Sequence, residues 1–149
     1  MRTEQNTRPA KVGARITAVM LALLSFGAGA EETLYEQIGG EAKFRAVVDE
    51  LVIVMLSDKR INFTFAETDM AKFKQLLFEQ LCNITDGPCK YTGRSMEESH
   101  EKLKSSNAQF NALAEDLYIA FERHNVPYRL QNKVMALLAP MQRDIVKKR

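Results

Sequence analysis

Glycine and proline are scarce. The 149 residues hold 7 Gly and 4 Pro, and long stretches have neither. That argues against a turn-rich β architecture and for helices. Cysteine is scarcer still, with Cys82 and Cys89 the only two. Two thiolates in one chain exclude a four-thiolate zinc or iron–sulfur site. In an oxidising compartment such a pair can close a disulfide, and the spacing alone leaves both the bridge and two free thiols open. What the chain does have is 46% hydrophobic and 27% charged residues, enough to fold one domain around a core.

The first thirty residues differ in kind from the rest. Arg2, Arg8, Lys11 and Arg15 make a basic start, residues 16–26 form an apolar run, and Ala28, Gly29 and Ala30 are small. This is the order of a secretory signal, with a cut expected after Ala30. The expected organisation is a signal peptide, 1–30, and one domain, 31–149, exported and periplasmic after cleavage. The apolar run is shorter than the ~20 residues of a spanning helix, so no stable membrane span is expected once it is removed. An uncleaved N-terminal anchor is the competing reading. The whole chain is net +2, but the leader carries four basic residues and one acid. Residues 31–149 have 17 basic against 18 acidic residues, net −1. The basic balance therefore belongs to the leader and gives no reason to expect a nucleic-acid partner.

After the leader the pattern is a train of helices. Residues 33–38 end at Gly39 and Gly40, a helix stop. Residues 41–56 carry Phe44, Val47, Val48, Leu51 and Met55 at three- and four-residue spacing, one apolar stripe. Residues 58–65 read as a corner. Thr68 or Asp69 can cap a helix over 69–84 with Met70, Phe73, Leu77, Leu81 and Ile84 inward. Residues 85–95 form a long connection, which in so small a domain usually has a function. Ser95 with Glu98 makes a capping box for a short helix over 96–104. Asn107 can cap a helix over 108–124. Pro127 opens the last one, with Leu130, Val134, Leu137, Leu138, Met141 and Ile145 inward.

Beyond the leader the chain has two histidines. His124 lies in a polar turn and is expected in solvent. His100 lies on the short helix with Met96 four residues before and Leu103 three after, so one face reads Met-His-Leu. An imidazole on an apolar face needs partners for its ring nitrogens; a metal can take one while a carbonyl orients the other. On that helix alone, an ordinary half-buried histidine is the commoner case.

From Thr33 to about Val146 the chain resembles the group I truncated haemoglobins. The residues that carry this are Leu34-Tyr35-Glu36-Gln37-Ile38-Gly39-Gly40, Leu56-Ser57-Asp58, Phe63-Thr64-Phe65, Gly87-Pro88, Tyr91-Thr92-Gly93 and Met96-Glu97-Glu98-Ser99-His100. The resemblance implies an all-α fold, the truncated-globin two-over-two sandwich around haem. It implies haem b, iron protoporphyrin IX, since neither cysteine has the Cys-x-x-Cys-His setting of covalent attachment. It makes His100 the proximal iron ligand. It puts Phe65 flat on the porphyrin, Met70, Phe73, Leu77 and Val52 on the distal side, and Met96, Phe110 and Leu113 on the proximal side. Tyr91 and Thr68 become candidates to reach a propionate, with Lys72 or Lys74.

Several positions depart from the family. Val52 stands where a tyrosine is common, and Phe73 and Leu77 stand where polar residues are common. Gln75 and Gln80 are expected to turn away from that face. Asp86 replaces one glycine of a usual pair, and the glycine common after the proximal histidine is absent.

The expected function is binding of a diatomic gas (oxygen, CO or NO), or its detection or detoxification, in an apolar distal pocket. The alternatives are a haem enzyme, such as a nitric oxide dioxygenase or a peroxidase-like protein, and a globin fold that has lost haem and binds a partner. The enzyme lacks a visible distal acid or base; His100 with Phe65 argues against the haem-free module. The sequence points to no particular electron donor or oligomeric state.

Overall fold

The computed structural model describes residues 31–146, and the leader and the last three residues lie outside the described part. The described residues contain helices and no strand. In chain order these are α1, Leu34–Ile38; α2, Gly40–Ser57; a 3-10 turn, Asn62–Phe65; α3, Met70–Ile84; α4, Met96–His100; α5, Asn107–Arg123; α6, Tyr128–Leu138; and α7, Gln142–Ile145. A second 3-10 turn, Ala139–Met141, separates α6 from α7. No described helix is long and apolar enough to cross a membrane.

Helix α2 is the spine. Phe44, Val47, Val48, Leu51 and Met55 are buried, and α2 packs against both α3 and α5. Each such side chain stabilises the fold by about 1.5–3 kcal/mol through area removed from water. Helix α6 packs against α5 and α3, which completes the two-over-two sandwich. Helix α1 is joined to α2 through Gly39 at φ +120° and Gly40 at φ +64°, backbone conformations that side-chain-bearing residues rarely adopt. The turn brings the Tyr35 ring onto Phe44, stacked at 5.3 Å.

Side-chain caps set several helix starts. Thr33 with Glu36 and Ser95 with Glu98 are capping boxes. Asp69, not Thr68, caps α3. Ser106 with Gln109 caps α5, so Asn107 is its first residue rather than its cap. Two expected helices are shorter than their apolar spacing suggests. Helix α4 ends at His100, and Lys104 takes φ +49°. The last helix breaks at the turn containing Pro140, which lacks an N–H to donate and whose ring crowds the preceding turn. Leu137, expected inward, is exposed. His124, expected in solvent, is half-buried, and its Nε2 is buried without a hydrogen-bond partner among the described residues. The Lys43 ammonium donates to the His124 carbonyl at 3.0 Å, which draws that turn onto α2.

Cys82 and Cys89 form a disulfide, so the bridge is closed. Cys82 is wholly buried at the end of α3. Asp86 takes φ +60°, the conformation for which a glycine pair would otherwise serve. Gly87 has no room for a side chain. A Cβ there would lie 2.6 Å from Cys82 Sγ and 2.8 Å from the Tyr35 ring.

Candidate functional site: an apolar cavity faced by one imidazole

A cavity of about 790 Å³ lies between α3, α4, α5 and the last turns of the chain. Its size is that of a small-molecule or cofactor site. One wall is apolar and aromatic, with Phe65, Phe73, Leu76 and Leu77 beside Leu51 and Ile61. Phe65 and Phe73 meet edge to face at 5.5 Å. Phe110, Leu113 and Leu117 come from α5, and Met141 and Ile145 from the chain end. His100, Met96 and Leu103 face the cavity together. Thr68, Lys72, Tyr91 and Arg94 supply hydroxyls and cations to its lining.

The geometry of His100 is specific. Its Nδ1 lies 2.8 Å from the Met96 carbonyl oxygen, one turn back on the same helix. A carbonyl only accepts, so Nδ1 carries the proton and donates. In the neutral imidazole Nε2 is then the nitrogen with the lone pair, the arrangement that readies the ring to ligate a metal. No cluster of three or more His, Cys, Asp or Glu able to hold a metal occurs among the described residues. A lone imidazole on an apolar cavity therefore suits a metal that brings its other ligands with it. A haem does so: its porphyrin needs flat apolar walls and its propionates need hydroxyls and cations. The residues present fit that group.

Most residues expected around the haem lie in this one lining: Phe65, Thr68, Phe73, Leu77, Tyr91, Met96, Phe110 and Leu113 with His100. Val52 and Met70 lie outside it. Val52 is packed in the core at 5% exposure, and its neighbour Leu51, one helical step of ~100° away, reaches the cavity instead. Met70 is half-buried against the core. Lys74 pairs with Asp49 at 2.8 Å on the far side of α3, so Lys72 is the lysine at the cavity. The Tyr91 hydroxyl donates to the Arg94 carbonyl at 2.8 Å, and burial pushes its pKa up.

The two glutamines of α3 part company. Gln75 faces outward, bonded to Arg45 and Glu79. Gln80 lines the cavity, against expectation. Seven residues at ~100° each return to within about 20° of Phe73, so the helical phase that hides Gln75 presents Gln80. Its amide nitrogen lies 3.1 Å from Met96 Sδ and 3.5 Å from Met141 Sδ. Sequence reasoning also missed Leu76, which the same stripe contains.

Comparisons with known proteins identify the family and the fold. The family described as bacterial-like globin matches residues 33–147. A group 1 truncated haemoglobin from Nostoc sp. is 40% identical over 85 residues, covering 57% of this chain and 72% of its own. One from Synechocystis sp. is 36% identical over 109 residues, covering 70% and 88%. Among solved structures, the Fe(III) form of the Tetrahymena pyriformis truncated haemoglobin superposes with a TM-score of 0.75 at 28% identity, covering 78% of this chain and 99% of that one. The 2/2 haemoglobin of Synechococcus sp. PCC 7002, in the cyanomet state with covalently attached haem, gives 0.74 at 30% identity over the same shares. A family match over most of the chain, joined to a fold and a cavity of this form, identifies it: the chain belongs to the bacterial-like globins, as a group 1 truncated haemoglobin, a family of haem proteins that bind diatomic gases.

Proposed function

We propose that this protein holds one haem b through His100 and binds a diatomic gas on the opposite, apolar face, outside the cytoplasm. The observation that carries this is the Nδ1 contact of His100 with the Met96 carbonyl, which leaves Nε2 free on a cavity of haem-binding character. Haem b is favoured because both thiols are consumed by their own disulfide. When bound, haem would supply an iron able to take up a gas. The chain's part is to orient the imidazole, exclude water with Phe65, Phe73 and Leu77, and set what polar help the gas receives.

That help is small. A ferrous haem would polarise dioxygen, and a hydrogen-bond donor to it would then be worth about 1.5–3 kcal/mol, or about 10- to 150-fold in affinity. Phe65, Phe73, Leu76 and Leu77 offer none. Of the two amides in the lining, Gln80 is directed to the sulfurs of Met96 and Met141, toward the His100 helix, and Gln109 is engaged in the cap of α5, accepting from the Ser106 N–H. Oxygen should therefore leave the ferrous protein quickly, while CO, which needs less polar help, stays. Leu77→Gln puts an amide of similar volume on the apolar wall. It should slow oxygen release by about tenfold or more, roughly 1.4 kcal/mol, and change CO release much less. Stopped-flow release of both gases from parent and variant checks this. Slow oxygen release in the parent would show that a polar group does reach the gas.

Export is the second part of the proposal, supported by the basic, apolar and small order of residues 1–30. Intact mass of protein from the exported fraction should begin at Glu31. Full-length protein confined to the cytosol would contradict it.

A further inference from the structure

Resting on the haem reading above, we infer that the disulfide and the Glu79 carboxylate position the His100 helix, and so govern how firmly the haem is held. Helices α3 and α4 both line the cavity, and only residues 85–95 connect them. A free loop of that length would let the distance between them drift. Here it is tied back to α3 at successive points. The disulfide joins Cys82 to Cys89, and the Asn83 amide donates to the Cys89 carbonyl at 3.2 Å. Glu79 Oε2 then accepts from the Thr92 N–H at 3.0 Å and the Thr92 hydroxyl at 2.7 Å. The hydrogen bond from Gln75, with these two from Thr92, holds the Glu79 carboxyl below its usual pKa, so it stays an anion and a strong acceptor. Three residues later Ser95 opens α4 with its capping box, and α4 ends at His100.

The chain between Thr92 and the ligand contains little slack. Tyr91 spans to the Arg94 carbonyl, and Ser95 and Glu98 lock the first turn of α4. Met96 then fixes the His100 ring. The ties on α3 thus set where α4 sits across the cavity. Cys82, Cys89 and Glu79 touch neither haem nor gas in this reading; they act through the loop. A chain whose disulfide has formed holds its imidazole in place, and one that still has two thiols does not. Firm haem binding is thereby linked to oxidation of the pair, which an exported protein would meet outside the cytoplasm.

The test compares the parent with Cys82→Ser/Cys89→Ser and, separately, Glu79→Ala, which keeps the disulfide and removes both bonds onto Thr92. Haem loss to excess apomyoglobin should be about tenfold faster in each, the low end for outer partners of a metal ligand. The iron–histidine stretch of the ferrous protein should shift or broaden in both, a change that loss of global stability alone does not produce. Hydrogen exchange on the haem-free proteins gives an independent readout. Amides of residues 91–100 should exchange faster in the variants while those of α2 and α5 do not. Unchanged exchange at residues 91–100 in Glu79→Ala would overturn the inference whether or not haem binds. Parent-like haem loss and stretch in the variants would overturn it with the haem reading intact. A parent that takes up no haem would sink the haem reading, leaving exchange to decide whether the ties position α4.

Discussion

His100→Ala should give a folded protein that cannot retain haem. The His100 side chain makes one hydrogen bond, to the Met96 carbonyl of its own turn, so its removal breaks no bond between helices. Its Nε2 is the only imidazole nitrogen the lining offers. His124 cannot replace it, because it belongs to the turn after α5 and is drawn onto α2 by Lys43. Loss of an outer partner of a metal-binding histidine alone costs 10- to 100-fold in affinity. Loss of the ligand should raise the haem dissociation rate by about 100-fold or more. Transfer of haem to excess apomyoglobin measures that rate, and far-ultraviolet circular dichroism checks that the helices persist. Parent-like retention in a folded variant would show that another group holds the iron.

Asp116→Asn should stabilise the fold above pH 6 and leave it little changed near pH 4. Asp116 sits on α5 at 2% exposure, and its Oδ2 has no hydrogen-bond partner among the described residues. Burial is the main force raising its pKa to about 6; repulsion from Asp58 and Glu115 adds to it, and Arg60 opposes it. The sign comes from proton counting. Between about pH 4 and 6 the folded chain holds a proton that the unfolded chain has released. Stability therefore falls as pH rises through that window, and above it the full cost of a buried carboxylate remains, up to about 3 kcal/mol. An amide in its place carries no charge to desolvate. Asp58, which the hydrogen bonds from Arg60 hold below its usual pKa, contributes the opposite slope in acid, but equally in parent and variant. Urea unfolding of the haem-free proteins from pH 4 to 8 should show the two curves diverging with pH. Parallel curves would mean that Asp116 finds a partner in solution.

Much of the fold is legible from residue spacing because helices repeat. The stripe on α2 follows the 3.6-residue period without interruption, and each of its residues is buried. The Ser95 and Glu98 pair announces α4 because a capping box is purely local. Gln80 overturns the expectation drawn from helical phase: that phase hides Gln75, but seven residues on from Phe73 it returns Gln80 to within about 20° of the same face. Pro140 is easily passed over because the apolar spacing continues across it, whereas a backbone lacking a donor breaks the helix regardless of side-chain pattern. Val52, expected at the haem from the family resemblance, shows a further limit. Burial on α2 does not say whether a side chain meets another helix or an internal cavity, since both are apolar. The cysteine pair is open in the sequence for a similar reason: seven residues of separation permit a bridge, but only the turn through Asp86 and Gly87 brings the Cα atoms to 5.7 Å.

Whether residues 31–149 hold one haem through His100, with an open position for gas, is the central question. Titration of haem into the purified protein, with visible spectra of the ferric, ferrous and CO-treated forms, tests it most directly. The expected result is saturation at one haem per chain, a strong Soret band, and a shift of that band when CO meets the reduced protein, all lost in His100→Ala. The absence of a saturable Soret band in the parent, or the same spectra in His100→Ala, would contradict it.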